Sequence, residues 1–326
     1  MWRVFVCTLL FSGCSDPGGG PSGETTQGAD PTTTTTQAPP EDTTSMGAPG
    51  ETSSSGTTSA SEDSSTAAGE TTEDSPPADG TMRVLSYNVA GLPDALSSST
   101  PSVNIPLISP LLNDYELVLV QEDFSYHPEL SEDAKHPHQS RPGGGGTFGD
   151  GLNRFSQSAF TDFQREGWDE CNGIVDSGSD CLTEKGFTVG LHELAPGATV
   201  DVYNLHMDAG GSDEDIAARQ AQVQQLLEAI VERSANRAVI VAGDTNMDEE
   251  DEADFVVLLE GAGLTDACRE LACGEEFRID RIMSRSSDRL ELTPTSWLVD
   301  STFVDDNGGA LSDHEAVVVD FDWVKP

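Results

Sequence analysis

Six short stretches of this chain put a carboxylate, an amide or an imidazole at the border of an apolar run: Leu85-Ser-Tyr-Asn88, Val118-Leu-Val-Gln-Glu122, Tyr203-Asn-Leu-His206-Met-Asp208, Ala238-Val-Ile-Val-Ala-Gly-Asp244-Thr-Asn246, Arg278-Ile-Asp280-Arg-Ile and Leu311-Ser-Asp313-His314-Glu. Gathered in one place, such groups suit an anionic substrate. Hard oxygens and a neutral amide hold a phosphate, a Mg2+ ion or an attacking water, and an imidazole moves a proton near neutral pH. The fourth stretch says most. Five small or β-branched apolar residues, typical of a strand covered on both faces, run into Gly243, which allows a close turn of the backbone. Asp244 and Asn246, two residues apart, then project to the same side. Each stretch taken singly has a plainer use: Asn88 capping a turn, Glu122 as a solvated strand end, Asp244 and Asn246 as an Asp/Asn turn, a histidine as a structural hydrogen-bonder. Six in one chain single them out.

The elements that must position these groups are legible in outline. Strands are expected over residues 82–89, 116–121, 200–207, 238–243 and 316–323. Ile216, Val223, Leu226, Leu227, Ile230 and Val231 recur at helical spacing within 216–233, and Ser212 with Asp215 forms a variant capping box ahead of them. A shorter helix is expected within 103–112, its length limited by Pro106 and Pro110. The polar stretch 126–153, with its run of glycines after Pro142, has no core pattern and is expected to rim a site. Together these segments give α+β layers in one domain over residues 81–326, long enough for a large core.

Ahead of that domain, Met1-Trp-Arg3 and the apolar run from Val4 to Phe11 have the form of a signal peptide, too short to span a bilayer. Phe11-Ser-Gly-Cys14 resembles the lipobox of bacterial lipoproteins. Cys14 is therefore the expected lipid anchor, with ordinary signal-peptidase cleavage as the alternative. Residues 15–80 are rich in Thr, Ser, Gly, Pro and Glu with almost nothing to bury, and read as a disordered tether. Of a formal net charge of −42, the domain itself keeps near −31, because twelve of the acids fall in the tether and Arg3 in the leader. Such a surface disfavours tight nonspecific binding of nucleic acid and suits a salty or extracellular setting. Cys171, Cys181, Cys268 and Cys273 lack zinc spacing and are expected as disulfides, most simply between sequence neighbours. An extracytoplasmic protein follows, either anchored at a bacterial envelope or surface or secreted.

In this order, SYN, VQE, NLHMD, GDTN, IDRI and SDH resemble the endonuclease/exonuclease/phosphatase superfamily, the deoxyribonuclease I-like fold, across essentially all of residues 81–326. The resemblance implies a four-layer α/β/β/α sandwich that gathers these residues at one edge for metal-dependent phosphoester cleavage. Mg2+ is the implied ion, with Mn2+ or Ca2+ as alternatives. Glu122 and Asn88 match the metal site, and Asp313 adds a carboxylate there or at a second metal. Asp244 and Asn246 would orient the nucleophilic water and a phosphoryl oxygen. His314, held in its tautomer by Asp280, is the general base or polarises the phosphate, and His206 would donate to the transition state or leaving group. Whether Asp244 or His314 takes the water's proton stays open. Asp208 stands where many relatives carry a neutral residue, which predicts a changed metal arrangement around His206.

Within the superfamily the chain is most similar to the neutral sphingomyelinase branch. Gly149-Asp-Gly-Leu152, ahead of a polar and aromatic strand, and Lys185-Gly186-Phe187 carry that similarity, and imply that Lys185 donates to the substrate phosphate. The implied activity is phospholipase C-type hydrolysis of sphingomyelin or a related phospholipid, by a monomer. Secreted bacterial members carry an exposed aromatic hairpin for membrane contact, whereas residues 284–306 here offer Trp297 and Phe303 among many acids. Two other readings stand beside this one. An extracellular nuclease would need a basic groove from the scattered Arg141, Arg154, Arg165, Arg278, Arg281, Arg285 and Arg289. A non-catalytic surface-binding lipoprotein would be expected to have lost at least one of the matched site residues.

Overall fold

A computed structural model describes residues 78–97, 99–145, 148–173, 181, 183–274 and 277–326. The expected leader, Cys14 and residues 15–77 of the expected tether lie outside these residues, whereas 78–80, also expected in the tether, pair with the last strand and open the first one. Two six-stranded mixed sheets carry the fold. The first takes both ends of the domain: β1 (Ala78–Asn88), β2 (Leu117–Gln121), β3 (His138–Gln139), β4 (Asn153–Ser156), β11 (Glu291–Val299) and β12 (Val317–Lys325), ordered β11-β12-β1-β2-β4-β3. The second takes the middle: β5 (Ala159–Gly167), β6 (Gly186–Ala195), β7 (Ala198–His206), β8 (Ala238–Asp244), β9 (Thr265–Asp266) and β10 (Asp280–Arg285), ordered β5-β6-β7-β8-β10-β9.

Helices cover the outer faces. On the first sheet lie α1 (Pro101–Leu111) and α2 (His127–Glu132); on the second lie α3 (Asp213–Arg233) and α4 (Glu252–Ala262), while α5 (Ala267–Glu270) is a single turn before β10. Strict alternation along the strands produces the layers. In β8, Ala238, Ile240 and Ala242 join the core between the sheets, and Val239 and Val241 face α3 and α4. In β2, Leu117 and Leu119 point inward and Val118 and Val120 outward. Both faces being covered explains why these strands read as unbroken apolar runs. Each fully buried Val, Leu or Ile contributes about 1.5–3 kcal/mol relative to exposure.

Parallel neighbours β1 and β2 are joined through α1, and parallel neighbours β7 and β8 through α3, so all four strands end at the same edge. The α3 cap forms as expected. Asp215 N donates to Ser212 Oγ at 3.1 Å, and Ser212 N to Asp215 Oδ2 at 2.9 Å. Cys171 is bonded to Cys181 and Cys268 to Cys273, the sequence-neighbour pairing.

Three expectations change. The helix over 103–112 is longer than its prolines suggested: α1 passes through both Pro106 and Pro110, because Ile105, Ile108 and Leu112 bury its inner side against β1 and β2. The stretch 126–153 is no bare rim, since it contains α2 and β3 and buries Leu130, His136, Ser140 and Leu152. Gly243 does not make a turn. It sits within β8 at φ 144° opposite Leu205, where a Cβ would lie 2.0 Å from the Leu205 carbonyl oxygen, so glycine is what lets β8 approach β7.

Candidate active site

The inward-facing rows of the strands are apolar until the edge where the parallel strands end, and there they turn polar. The row Met82, Val84 of β1 continues through Ser86 to Asn88; the row of β2 ends in Gln121; that of β7 runs Ala198, Val200, Val202, Asn204, His206; and that of β8 ends in Asp244. One side-chain parity thus carries the core and then the site. Gln121 Nε2 donates to Asn204 Oδ1 at 2.7 Å, which ties the two sheets together beneath the site. Register does the rest: His206 pairs with Asp244 across β7 and β8, and Asp280 pairs with Asp244 across β8 and the antiparallel β10. Asp280 therefore opens its strand instead of ending one, and an antiparallel start lies beside parallel ends.

Asn88 is the hub. Its Nδ2 donates to Glu122 Oε1 at 3.2 Å and to Asp244 Oδ2 at 3.1 Å, and lies 3.4 Å from His314 Nε2. Its own oxygen accepts from Ala90 N at 3.0 Å, so the amide turns a donor toward the carboxylates and holds them in place. His206 Nε2 lies 3.4 Å from Asp244 Oδ2 and 3.9 Å from Glu122 Oε1. His314 Nδ1 is hydrogen-bonded to Asp280 Oδ2 at 2.9 Å, leaving Nε2 aimed at Asp244 Oδ2, 3.7 Å away. The loop that brings His314 is pinned by Ser312, whose Oγ donates to Asn88 O at 2.7 Å. The sequence reading gave Ser312 no role, although it opens the SDH motif. Glu122 and Asn246 follow β2 and β8 at φ 56° and 50°, a left-handed backbone at the rim of the site.

The electrostatics are those of a site short of positive charge. Burial pushes the Asp244 carboxyl up to about 6, and Asp280 adds to this against the pull of His314 and Lys185. Burial likewise raises Glu122. Burial holds His206 well below the usual histidine range, with Lys185 and His314 adding to it, so this ring is neutral. Burial would lower His314 too, but Asp280 and Asp244 outweigh it and hold this ring well above that range. Among the described residues, Asp280 Oδ1 and His206 Nδ1 are buried without a hydrogen-bond partner.

Asp244, Asp280 and His314 offer ligand atoms within 4.8 Å of one another. The short Asp280 contact makes that trio read first as a base with its orienting acid. Glu122, its side chain 22% exposed, is more open than Asp244 or Asp280, at 1% and 5%. Several oxygens held together at raised pKa fit a hard divalent cation, which would relieve their mutual repulsion.

Lys185 and Asn246 converge on one atom: Lys185 Nζ donates to Met207 O at 3.1 Å and Asn246 Nδ2 to the same oxygen at 3.0 Å. Both are thus fixed beside His206. Asp313 is exposed on the His314 loop, its Oδ1 accepting from Ser312 Oγ at 3.4 Å. Asp208 accepts from Asn172 N and from Gln222 Nε2 of α3, bonds that secure the end of β7. Trp297 is half-buried with Arg278 over its ring, and Phe303 is buried beside Tyr87, so residues 284–306 present no aromatic hairpin. Most of the scattered arginines are engaged. Arg154 is fully buried, Arg165 binds Asp150, Arg278 binds Glu315, Arg281 binds Asp266, and Arg285 donates to the carbonyls of Ala262 and Ser234. Arg141 and Arg289 are exposed.

No family model matches the sequence. The chain is, however, 34% identical over 285 residues to sphingomyelinases of Mycobacterium tuberculosis and Mycobacterium bovis, an alignment covering 78% of this chain and 55% of theirs. It spans about half the length of these curated relatives. Among solved structures, an endonuclease/exonuclease/phosphatase family protein of Bacteroides thetaiotaomicron matches at a TM-score of 0.57 and 18% identity, over 76% of this chain and 96% of that one. The chain has the fold of this superfamily. Its deoxyribonuclease I-like sandwich is shared with D. rerio TDP2 complexed with a single-strand DNA product (TM-score 0.60, 20% identity, 74% of this chain and 99% of that one). It is also shared with a Staphylococcus aureus beta toxin variant holding bound magnesium ions (TM-score 0.54, 14% identity, 74% and 99%). This fold accounts for the strand-end placement of the polar residues: both sheets deliver them to one edge.

Proposed function

We propose that this chain is a Mg2+-dependent phosphodiesterase that hydrolyses sphingomyelin or a related phospholipid in the manner of a phospholipase C. The observation that carries the reading is the meeting of Glu122, Asp244 and the His314–Asp280 pair on the single amide of Asn88, with His206 against the same carboxylates. The relation to sphingomyelinases supports the choice of substrate.

A phosphodiester is an anion that repels nucleophiles, so a site must offset its charge, activate water and protonate the departing oxygen. Glu122 would hold the cation, with Asn88 fixing its carboxylate and Asp313 as a further acid on the facing loop; the ion supplies the positive charge this site lacks. Asp244 and Asn246 orient the water and a phosphoryl oxygen. His314, aligned by Asp280, exchanges a proton through Nε2. Neutral His206 is placed to donate a hydrogen bond, and Lys185 brings an ammonium to the substrate phosphate. Water adds to phosphorus, the bond from phosphorus to the lipid oxygen breaks, and that oxygen leaves with a proton as the alcohol.

The nuclease reading loses its footing in the engaged arginines, since a nucleic-acid groove depends on cations free to meet phosphates. Two disulfides fit an oxidising compartment, and no described helix is long and apolar enough to cross a membrane. Attachment at the envelope through Cys14 completes the proposal.

The test is hydrolysis of sphingomyelin in mixed micelles and of supercoiled plasmid in parallel, with Mg2+ and with chelator, using His314→Ala as the blank. Phosphocholine release that needs both Mg2+ and His314, without nicking, is the expected result. Nicking without phosphocholine release would overturn the substrate in favour of the nuclease; neither activity from a folded chain would leave the binding lipoprotein.

A further inference from the structure

The outer side of α1 differs from the rest of the surface. Its inner side packs on the first sheet, yet beyond Ser102 in its first turn its exposed positions are Val103, Pro106, Leu107 and Pro110. Val103 is 58% and Leu107 43% exposed, and Leu96, in the loop that leads into the helix, is 52% exposed. A helix apolar on both sides belongs inside a larger core or against lipid. The prolines sharpen the point. Neither has an N–H for the carbonyl four residues earlier, and proline within a helix costs about 3 kcal/mol relative to alanine. A face that simply met water would do better with helix formers, as α3 does with Glu214, Gln220, Gln224, Glu228 and Glu232 outward.

The chain on either side of α1 is almost free of charge, although Glu132 and Asp133 of the neighbouring segment are exposed beside its C-terminal end. Across residues 84–113 the single charged side chain is Asp94, in a chain where 23% of residues are charged. That carboxylate is taken up locally: it accepts from Ser102 Oγ at 2.6 Å, from Ser102 N at 3.0 Å and from Tyr126 OH at 3.1 Å. The two bonds to Ser102 bring the Leu96 turn to the Val103 end of α1. This end is also the site end. The loop leaves β1 at Asn88, Gly91 N donates to Glu122 O at 3.0 Å, and α1 then runs back along the sheet toward the start of β2.

We propose that Leu96, Val103, Pro106, Leu107 and Pro110 form the surface by which this chain seats on a zwitterionic phospholipid bilayer, with the site at its border. The proposal rests on the phospholipid reading of that site. Lipid is the occupant the charge pattern favours. An uncharged apolar face enters the headgroup region without desolvating ions, and a domain near −31 is repelled by anionic membranes.

The experiment uses the full-length chain with Cys14→Ser, so that no acyl anchor forms. Flotation with phosphatidylcholine and sphingomyelin vesicles is compared for this protein, for V103D/L107D and for the milder V103S/L107S, each checked for an unchanged melting curve. Hydrolysis of sphingomyelin in intact vesicles and of a soluble monomeric phosphodiester is followed alongside. Vesicle binding and vesicle hydrolysis should fall on the order of tenfold or more in the Asp pair and less in the Ser pair, since half-exposed Val and Leu each lose their burial in lipid. Turnover of the soluble ester should not change. Equal flotation of all three proteins would overturn the proposal. So would tighter binding to anionic than to zwitterionic vesicles, or a dimer that the Asp pair dissociates. If vesicles bind through this face but no phosphodiester is cleaved, the site reading falls and the surface stands; with soluble turnover but no flotation, the surface falls and the site stands.

Discussion

Two polar clusters lie between the same pair of sheets, and they are built on opposite terms. At the strand ends, Glu122, Asp244 and Asp280 crowd around His206 and His314, with Asp280 Oδ1 and His206 Nδ1 left unpartnered. Further along β4 and β6, Arg154 crosses from the first sheet to the second with no carboxylate bonded to it among the described residues. Its Nη1 donates to Val202 O and lies 3.1 Å from His192 Nε2, and its Nη2 donates to Thr188 Oγ1 at 2.8 Å. The rings of Phe160 and Phe163 lie under the guanidinium. The first cluster is frustrated, with like charges held together. The second leaves Arg154 Nε without a hydrogen-bond partner but holds no like charges together, with a neutral histidine accepting from a cation. Frustration at a folded site persists where chemistry uses it, and its absence marks a brace.

The contrast predicts where each cluster fails. Asp244→Asn should lower kcat/KM on the phosphodiester substrate about a thousandfold while leaving the fold intact. Its folded pKa is raised to about 6 from 3.8, so its stabilising share is complete below the lower value and lost as pH rises through the upper one. At pH 7 the buried carboxylate is therefore a cost, and the cation-free melting temperature of Asp244→Asn should match or exceed that of the parent. A large drop in melting temperature would mean that Asp244 is a brace after all, and the distinction would go.

Arg154→Met should do the reverse. It leaves the Val202 carbonyl, the Thr188 hydroxyl and His192 without their shared donor, a loss of about 2–4 kcal/mol. Denaturant unfolding reads the stability, and kcat/KM per folded molecule should stay within about twofold. Equal stability, or activity lost ahead of stability, would place Arg154 in the site's service.

The frustrated cluster was legible in the sequence and the brace was not. Asn88, Glu122, His206 and Asp244 end apolar runs; one side-chain parity carries the runs of β1, β7 and β8 into their polar termini, while Glu122 stands one residue beyond the Gln121 that ends the inward row of β2. That pattern survives in a linear reading because a strand end is local. The disulfide partners were likewise neighbours in sequence. Arg154 gave no such sign: it read as one of the scattered arginines a nuclease groove would need, and what buries it comes from β5, β6 and β7, with His192 38 positions away. The helix α4 was missed because its stripe of Phe255, Leu258 and Ala262 lies beside a run of acids that reads as loop. The length of α1 was misjudged because packing on β1 and β2 outweighs two prolines. Ser312 and the Met207 carbonyl, which fix His314, Lys185 and Asn246, act through bonds between distant segments.

The mildest test of the comparison is a titration. Burial, with Arg154 next and His138 after it, holds His192 well below the usual histidine range, so its ring is neutral in the fold and takes a proton in the unfolded chain near 6.5. The stability this gives is full above that value and is lost as pH falls below it, with a slope of about 1.4 kcal/mol per pH unit for one proton. Glutamine can still accept from Arg154 and donate to Ser156 or Ser158, but it does not titrate. Urea unfolding of His192→Gln between pH 5 and 6.5 should therefore follow a shallower slope than the parent by about that amount, while the two converge above pH 7. His136 and His206, also lowered by burial, contribute equally to both proteins and cancel in the difference. Parallel curves would show that His192 keeps its proton in the fold, which two cations 3.1 Å apart would allow only if an acid reached them, and the brace would then be a charged cluster like the site.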